Sequence, residues 1–134
     1  MIVVDANILA KLLISPGDPR VEQNVYHKDQ EWIGPPILRS EFRNLLATSL
    51  RKRSLDINAA LFFMEEAEEL LGENEFPVSS VGVLSLAARS GCTAYDCEYV
   101  ALAMDLGIPL VTRDREILAA FPAVAVDPEA FLRR

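Results

Sequence analysis

The chain has 134 residues, 51% hydrophobic and 25% charged, with 13 Lys and Arg against 20 Asp and Glu for a formal net charge of −7. A chain this long buries roughly two-thirds of its unfolded surface, so residues 1–134 are expected to form a single domain; composition excludes disorder, collagen-like repeats and a disulfide scaffold. Cys92 and Cys97 are too few to frame a secreted fold, His27 is the lone imidazole so no Cys/His zinc set can be built, and the apolar start, broken by Asp5 with no basic run before it, is expected to be neither leader nor membrane span, which makes a reducing cytoplasm the expected setting.

Hydrophobic period and chain breakers predict helices alternating with short apolar runs, an α/β pattern. Residues 2–4 are a buried strand stopped at Asp5, and 7–13 follow as a helix ended by Ser15-Pro16-Gly17. A short helix covers 19–27, Trp32-Ile33 is a weak strand, and Pro36 opens a long helix reaching about Arg53. Within it Arg39, Arg43, Arg51, Lys52 and Arg53 oppose only Glu41, a basic stretch able to meet phosphates in an otherwise acidic chain. Residues 58–71, capped near Asp56 and stopped at Gly72, complete a helical hairpin. Glu65, Glu66, Glu68, Glu69, Glu73 and Glu75 along its end carry most of the net charge and are expected to form a solvated face. Beyond a possible strand at 76–78, helices are expected at 81–90 and 94–106, each ended by glycine, the second capped by Thr93. The strand 108–112 stops at Asp114, and a helix at 115–120, a weak strand at 124–126 and a helical turn after Pro128 close the chain.

Four carboxylates stand out on these elements. Asp5 and Asp114 each follow a buried strand at its carboxyl end, the edge of an open α/β sheet where ligands bind. Glu41 falls within the apolar stripe of Leu38, Phe42, Leu45 and Leu46, and Asp96 lies in the first turn of a helix that is apolar nearly all round from Val100 to Met104. Singly, each has an ordinary explanation: Asp5, Asp96 and Asp114 as helix caps, Glu41 as a partner of Arg39 or Arg43. Together they gather acid at one sheet edge, where mutual repulsion raises pKa values and a hard divalent cation relieves it. Oxygen ligands with no imidazole or thiolate select Mg²⁺ or Mn²⁺, and two such ions about 4 Å apart clamp the two oxygens of an in-line phosphoryl displacement.

The stretches IVVDANIL, RSEFRNLL and YDCEYVALAMDLGIPLVTRD, with the overall length, resemble PIN-domain ribonucleases, most of all VapC-type toxins of prokaryotic toxin–antitoxin pairs. The resemblance implies a three-layer α/β/α sandwich with a central parallel sheet and a metal-dependent endoribonuclease. It also implies an RNA substrate, frequent homodimers and a small antitoxin partner. Carried over by position, the acidic quartet is Asp5, Glu41, Asp96 and Asp114, with Asn7 and Thr112 as the polar helpers. Asp5 and Asp96 are then main metal ligands, Asp114 a ligand directly or through water, and Glu41 a ligand to a second ion or the group that orients water. Arg39, Arg43, Arg113 and Arg115 are the candidates for the RNA backbone or antitoxin carboxylates.

Other chemistry finds little support. There is no phosphate-binding glycine loop and no nucleophile elbow; a phosphatase lacks its second aspartate at Asp5-Ala6-Asn7, and a receiver domain lacks its acid pair and late lysine. His27 is expected at the surface, Cys92 and Cys97 as small buried hydrophobes, and Trp32 in packing. Glu98 stands two residues from Asp96, roughly 200° around the helix, and is left out of the site. Phe62, Phe63 and Met64 cannot all face one side of a helix and are either core or a contact patch for a dimer or antitoxin. The competing hypothesis is a catalytically silent PIN-fold protein-binding module whose acidic crevice receives an arginine from a partner.

Overall fold

Ile2, Val3 and Val4 are fully buried and form β1 (Ile2–Val4), a continuous apolar strand of the kind a sheet covered on both faces requires. The computed structural model describes every residue of the chain except Ser15 and Pro16. After β1 come α1 (Ala6–Leu13), α2 (Arg20–Lys28), β2 (Trp32–Ile33), α3 (Ile37–Arg51), α4 (Ile57–Leu71), α5 (Ser80–Ser90), α6 (Ala94–Leu106), β3 (Leu110–Val111), α7 (Arg115–Ala120), β4 (Ala125–Val126) and α8 (Pro128–Leu132). The strands make one parallel sheet in the order β2-β1-β3-β4, with helices on both faces, the α/β/α sandwich expected from the sequence. Val3 is opposite Ile33 on one side and Leu110 on the other, so β1 is central.

From β1 the next strand, β2, lies to one side and β3 to the other. That reversal opens a crevice at the carboxyl ends of β1 and β3, where Asp5 and the Thr112–Asp114 segment emerge. α6 packs against both strands and is buried along Cys97, Tyr99, Val100, Ala101, Leu102 and Ala103, although Met104 is exposed, so its apolar surround stops one residue short of the expectation. Gly107, in the left-handed region at φ 65°, ends the helix where a side chain would be strained.

Helix bounds follow the sequence expectations to within two residues, α1 ending at Leu13 as expected, while Ser15 and Pro16 of its expected stop signal lie outside the described residues. One expected strand is absent and two are shorter than expected, 124–126 by the single residue that leaves β4 at Ala125–Val126. The segment 76–78 forms no strand: Glu75 makes a single parallel bridge to Gly34, Phe76 N–H donates to the Gly34 carbonyl, and Pro77 has no N–H to continue. In 108–112 only Leu110 and Val111 are strand, because Pro109 likewise has no donor, although its carbonyl still accepts from Val3. Trp32 is core, its ring edge-on to Tyr26 and its indole N–H donated to the Asp29 carbonyl; His27 is exposed, and Cys92 and Cys97 are buried free thiols. On α4, Phe62 is exposed while Phe63 and Met64 pack against the core, and every glutamate of the acidic run but Glu75 is exposed. Among the described residues no helix is long and apolar enough to cross a membrane.

Candidate active site

Asp5 ends β1 and begins α1. As N-cap, its Oδ1 accepts from the Ile8 N–H at 3.0 Å, and its Oδ2 accepts from the hydroxyl of Thr112, 107 residues away and just past the end of the neighbouring strand β3. Asp114 does the same at the next strand end, capping α7 by accepting from Ile117 N–H at 3.0 Å while its own N–H donates to Thr112 Oγ1 at 3.0 Å. Capping and site membership are therefore not alternatives here. The turn that stops each strand and starts each helix also leaves an acid at the sheet edge.

Glu41 and Asp96 arrive from helices. Glu41 follows buried Leu38 by three residues on α3 and is half-buried; its Oε1 accepts from the Tyr99 hydroxyl at 2.5 Å. Asp96 is in the first turn of α6, its N–H donated to the Thr93 cap at 3.0 Å, and Tyr99 stands one turn further along the same helix. Glu41 thus pairs with neither Arg39 nor Arg43.

All four acids line one cleft of about 340 Å³, with Asn7, Ser40, Asn44, Tyr95 and Tyr99 as its other polar side chains and Ile37, Leu45 and Ile117 as its larger apolar ones. Thr112 is fully buried and touches the site through Asp5 and Asp114; Asn7 lines the cleft from an exposed position. Burial raises the Asp5 carboxyl above its ordinary value, and the charges of Asp114 and Glu41 add to the rise against the hydrogen bonds from Thr112 and Ile8. Burial, then the Glu41 hydrogen bond and charge, push the Tyr99 phenol well upward, so it remains a proton donor. Glu98, set aside on helical angle, does not line the cleft but is half-buried, and burial with the Glu41 charge raises its carboxyl too.

The donors suit a hard divalent cation: every charged group lining the cleft is a carboxylate, with no imidazole or thiol. Among the described residues no three acid, thiol or imidazole groups already stand together as a cation cage, so the acids share a wall rather than a preformed ligand shell.

The four arginines singled out in the sequence are not in this cleft. Arg39 Nε meets Glu75 Oε2 at 2.6 Å and Arg39 Nη2 the Gly72 carbonyl at 2.9 Å, tying α3 to the exit of α4. Arg113 is bound by Glu22 and Glu129. Arg43 and Arg115 are exposed. Tyr99 is the site residue that sequence reasoning missed; the signal available was its position one turn after Asp96 on an otherwise aliphatic face.

A family model described as PIN domain matches residues 2–124. The chain belongs to the PIN-domain family. It is 29% identical over 126 residues to Ribonuclease VapC3 of Pyrobaculum aerophilum, an alignment covering 92% of this chain and 96% of the relative. The crystal structure of PAE2754 from Pyrobaculum aerophilum superposes with a TM-score of 0.78 at 26% identity, covering 99% of this chain and 94% of that one. A toxin–antitoxin complex from Klebsiella pneumoniae contains a chain of the same fold, TM-score 0.70 at 16% identity, with coverage of 96% and 98%. The PIN domain and VapC-type likeness expected from the sequence are borne out.

Proposed function

We propose that this PIN-domain protein is an endoribonuclease of toxin type, one domain across 1–134, that hydrolyses RNA phosphodiester bonds in the acidic cleft with Mg²⁺ or Mn²⁺. The observation that carries the proposal is the meeting of Asp5, Glu41, Asp96 and Asp114, from four separate segments, in one cleft at the carboxyl ends of β1 and β3. The match to a family model and the likeness to a ribonuclease support it.

Asp5, Asp96 and Asp114 would hold the cation, with Glu41 as a further ligand or as the group that orients water. A divalent ion there neutralises charge on the phosphodiester and lowers the pKa of water. Thr112 fixes Asp5, and Tyr99 fixes Glu41 by taking one of its two oxygens. Asn7, at the mouth of the cleft, supplies a neutral amide for cation-bound water or a substrate oxygen. A small antitoxin, a homodimeric state and a cytoplasmic setting complete the proposal, on the resemblance to VapC toxins and the likeness to the Klebsiella complex.

The test is cleavage of single-stranded or looped RNA by protein freed of any partner. With Mg²⁺ or Mn²⁺ the RNA is expected to be cut, chelator is expected to stop it, and Asp96→Asn is expected to abolish it with the fold intact. A folded, partner-free protein that leaves RNA whole in both metals would sink the proposal in favour of the silent binding module.

A further inference from the structure

Arg113 stands between Thr112 and Asp114, and its side chain leaves in another direction from theirs. Thr112 reaches Asp5 and Asp114 lines the cleft, whereas the Arg113 guanidinium is held outside it. Its Nε and Nη2 meet Glu22 Oε1 at 2.8 and 2.7 Å, and its Nη1 meets Glu129 Oε1 and Oε2 at 3.1 and 3.2 Å. Glu22 belongs to α2 and Glu129 to α8, two helices packed against each other. Glu22 is fully buried, and its Oε2 has no hydrogen-bond partner among the described residues.

As a source of stability this is a poor arrangement. The Glu22 carboxylate loses its water while Arg113 stays partly exposed, one buried oxygen goes unsatisfied, and an apolar side chain of similar volume in place of Glu22 would fill the space at no such cost. As a source of direction it is a good one, because a planar guanidinium bonded along two edges has a single orientation. Burial works against the Arg113 charge, yet the bonds to Glu22 and Glu129 outweigh it and raise its pKa. The backbone on either side of Arg113 carries the two groups that set the cleft at β3.

We propose that Glu22 and Glu129 clamp Arg113 so as to hold the turn between β3 and α7, placing Thr112 and Asp114 at the acidic cleft. Glu22 is thereby a positioning residue for the site, and Arg113 is engaged within the protein rather than offered to RNA. The consequence for cation binding rests on the proposed function; the consequence for the turn does not.

The decisive variant replaces Glu22 and Arg113 together, Glu22→Met with Arg113→Met, which removes the buried carboxylate and its cation while keeping volume and leaves half-exposed Glu129 to water. Two quantities are read. The first is hydrogen exchange at the Asp114 and Ile117 amides, bonded to Thr112 Oγ1 and Asp114 Oδ1, in cation-free protein and relative to the core amides of Val4 and Val100. The second is Mn²⁺ affinity, followed by the paramagnetic resonance of free Mn²⁺. The pair is expected to keep its melting temperature within a few degrees. The two turn amides should exchange faster against the core, and Mn²⁺ affinity should weaken by about 10–100-fold, the usual cost of losing a group that orients a ligand. Glu22→Gln, which retains the Oε1 acceptor, should move both in the same direction by less, and stands in if the double variant fails to fold. Turn amides that keep pace with the core, or Mn²⁺ bound as tightly as by the unsubstituted protein, would overturn the clamp. If the unsubstituted protein takes up no Mn²⁺ and cuts no RNA, the nuclease proposal falls, and accelerated exchange at Asp114 and Ile117 still supports the clamp.

Discussion

Glu41 has two oxygens, and Tyr99 occupies one of them. The phenol is buried and stays protonated, so the bond at 2.5 Å holds the carboxylate in one rotamer with the second oxygen left for the cleft. Tyr99→Phe removes only that hydroxyl. A lost hydrogen bond to a charged group costs about 1.5–3 kcal/mol where water cannot replace it, but half-buried Glu41 regains water, so the loss in stability should be about 1 kcal/mol or less. Activity should suffer more: with RNA saturating, kcat is expected to fall about tenfold or further while KM changes little. Asp5 supplies a second prediction. Its pKa is raised in the folded protein from the ordinary 3.8 by burial and then by neighbouring charge. The folded state therefore binds this proton more tightly than the unfolded state, and stability falls as pH rises from the unfolded pKa through the folded one. Above that window the full penalty of a buried, repelled carboxylate is present. Asp5→Asn is free of it and keeps an oxygen for Ile8 N–H. In cation-free buffer the advantage of the variant in melting temperature should grow as the pH is raised from about 4 towards neutral. An offset that stays constant across that range would refute the assignment.

At the scale of elements, caps join local sequence to site geometry. Thr93 accepts from the N–H of Asp96 and so fixes the turn from which Asp96 and Tyr99 both project. Thr93→Ala should cost about 0.5–2 kcal/mol. In a chain this long that is a fall of roughly 2–6 °C in the melting curve by circular dichroism. Because Asp96 is then held less firmly, cleavage should fall as well, and excess Mn²⁺ should restore part of it. The bounds of α6 were legible in the sequence because Thr93 and Gly107 are local signals with local causes. The segment 76–78 was not, because apolar residues resemble a strand until Pro77 withholds its donor and leaves one bridge at Glu75. Asp5 and Asp114 were legible as acids after strands, but the same residues serve as caps, and nothing local separates a cap from a ligand. That the two caps share one site rests on Thr112, which donates to the Asp5 carboxylate and accepts from the Asp114 N–H.

The molecule as a whole brings together what the chain keeps far apart. The order β2-β1-β3-β4 makes β1 and β3 neighbours, and that adjacency gathers Asp5 with Asp114 and lets α6 deliver Asp96 and Tyr99 to Glu41. Spacing and periodicity pointed to the sheet edge, but the partners across it could not be read from them. Arg39 and Arg113 stood in the sequence as candidates for RNA or antitoxin contacts or as partners of the acids beside them, yet they find Glu75 and Glu22, 36 and 91 residues away. The charges at the cleft have no such internal cation among the groups lining it. Folding therefore concentrates negative charge that the unfolded chain spreads out, and a divalent ion that binds the folded cleft alone should stabilise the protein by mass action. At a free concentration 100 times its dissociation constant the gain is about 2.7 kcal/mol. Thermal melts with Mn²⁺ or Mg²⁺ should shift upward by several degrees, Na⁺ at matched ionic strength should not reproduce the shift, and chelator should reverse it. Asp96→Asn should reduce the response and Asp5→Asn should remove most of it, the second variant having already gained stability without metal. A shift equal in Na⁺ would identify general screening of a chain with net charge −7, and the cleft would lose its claim to a cation.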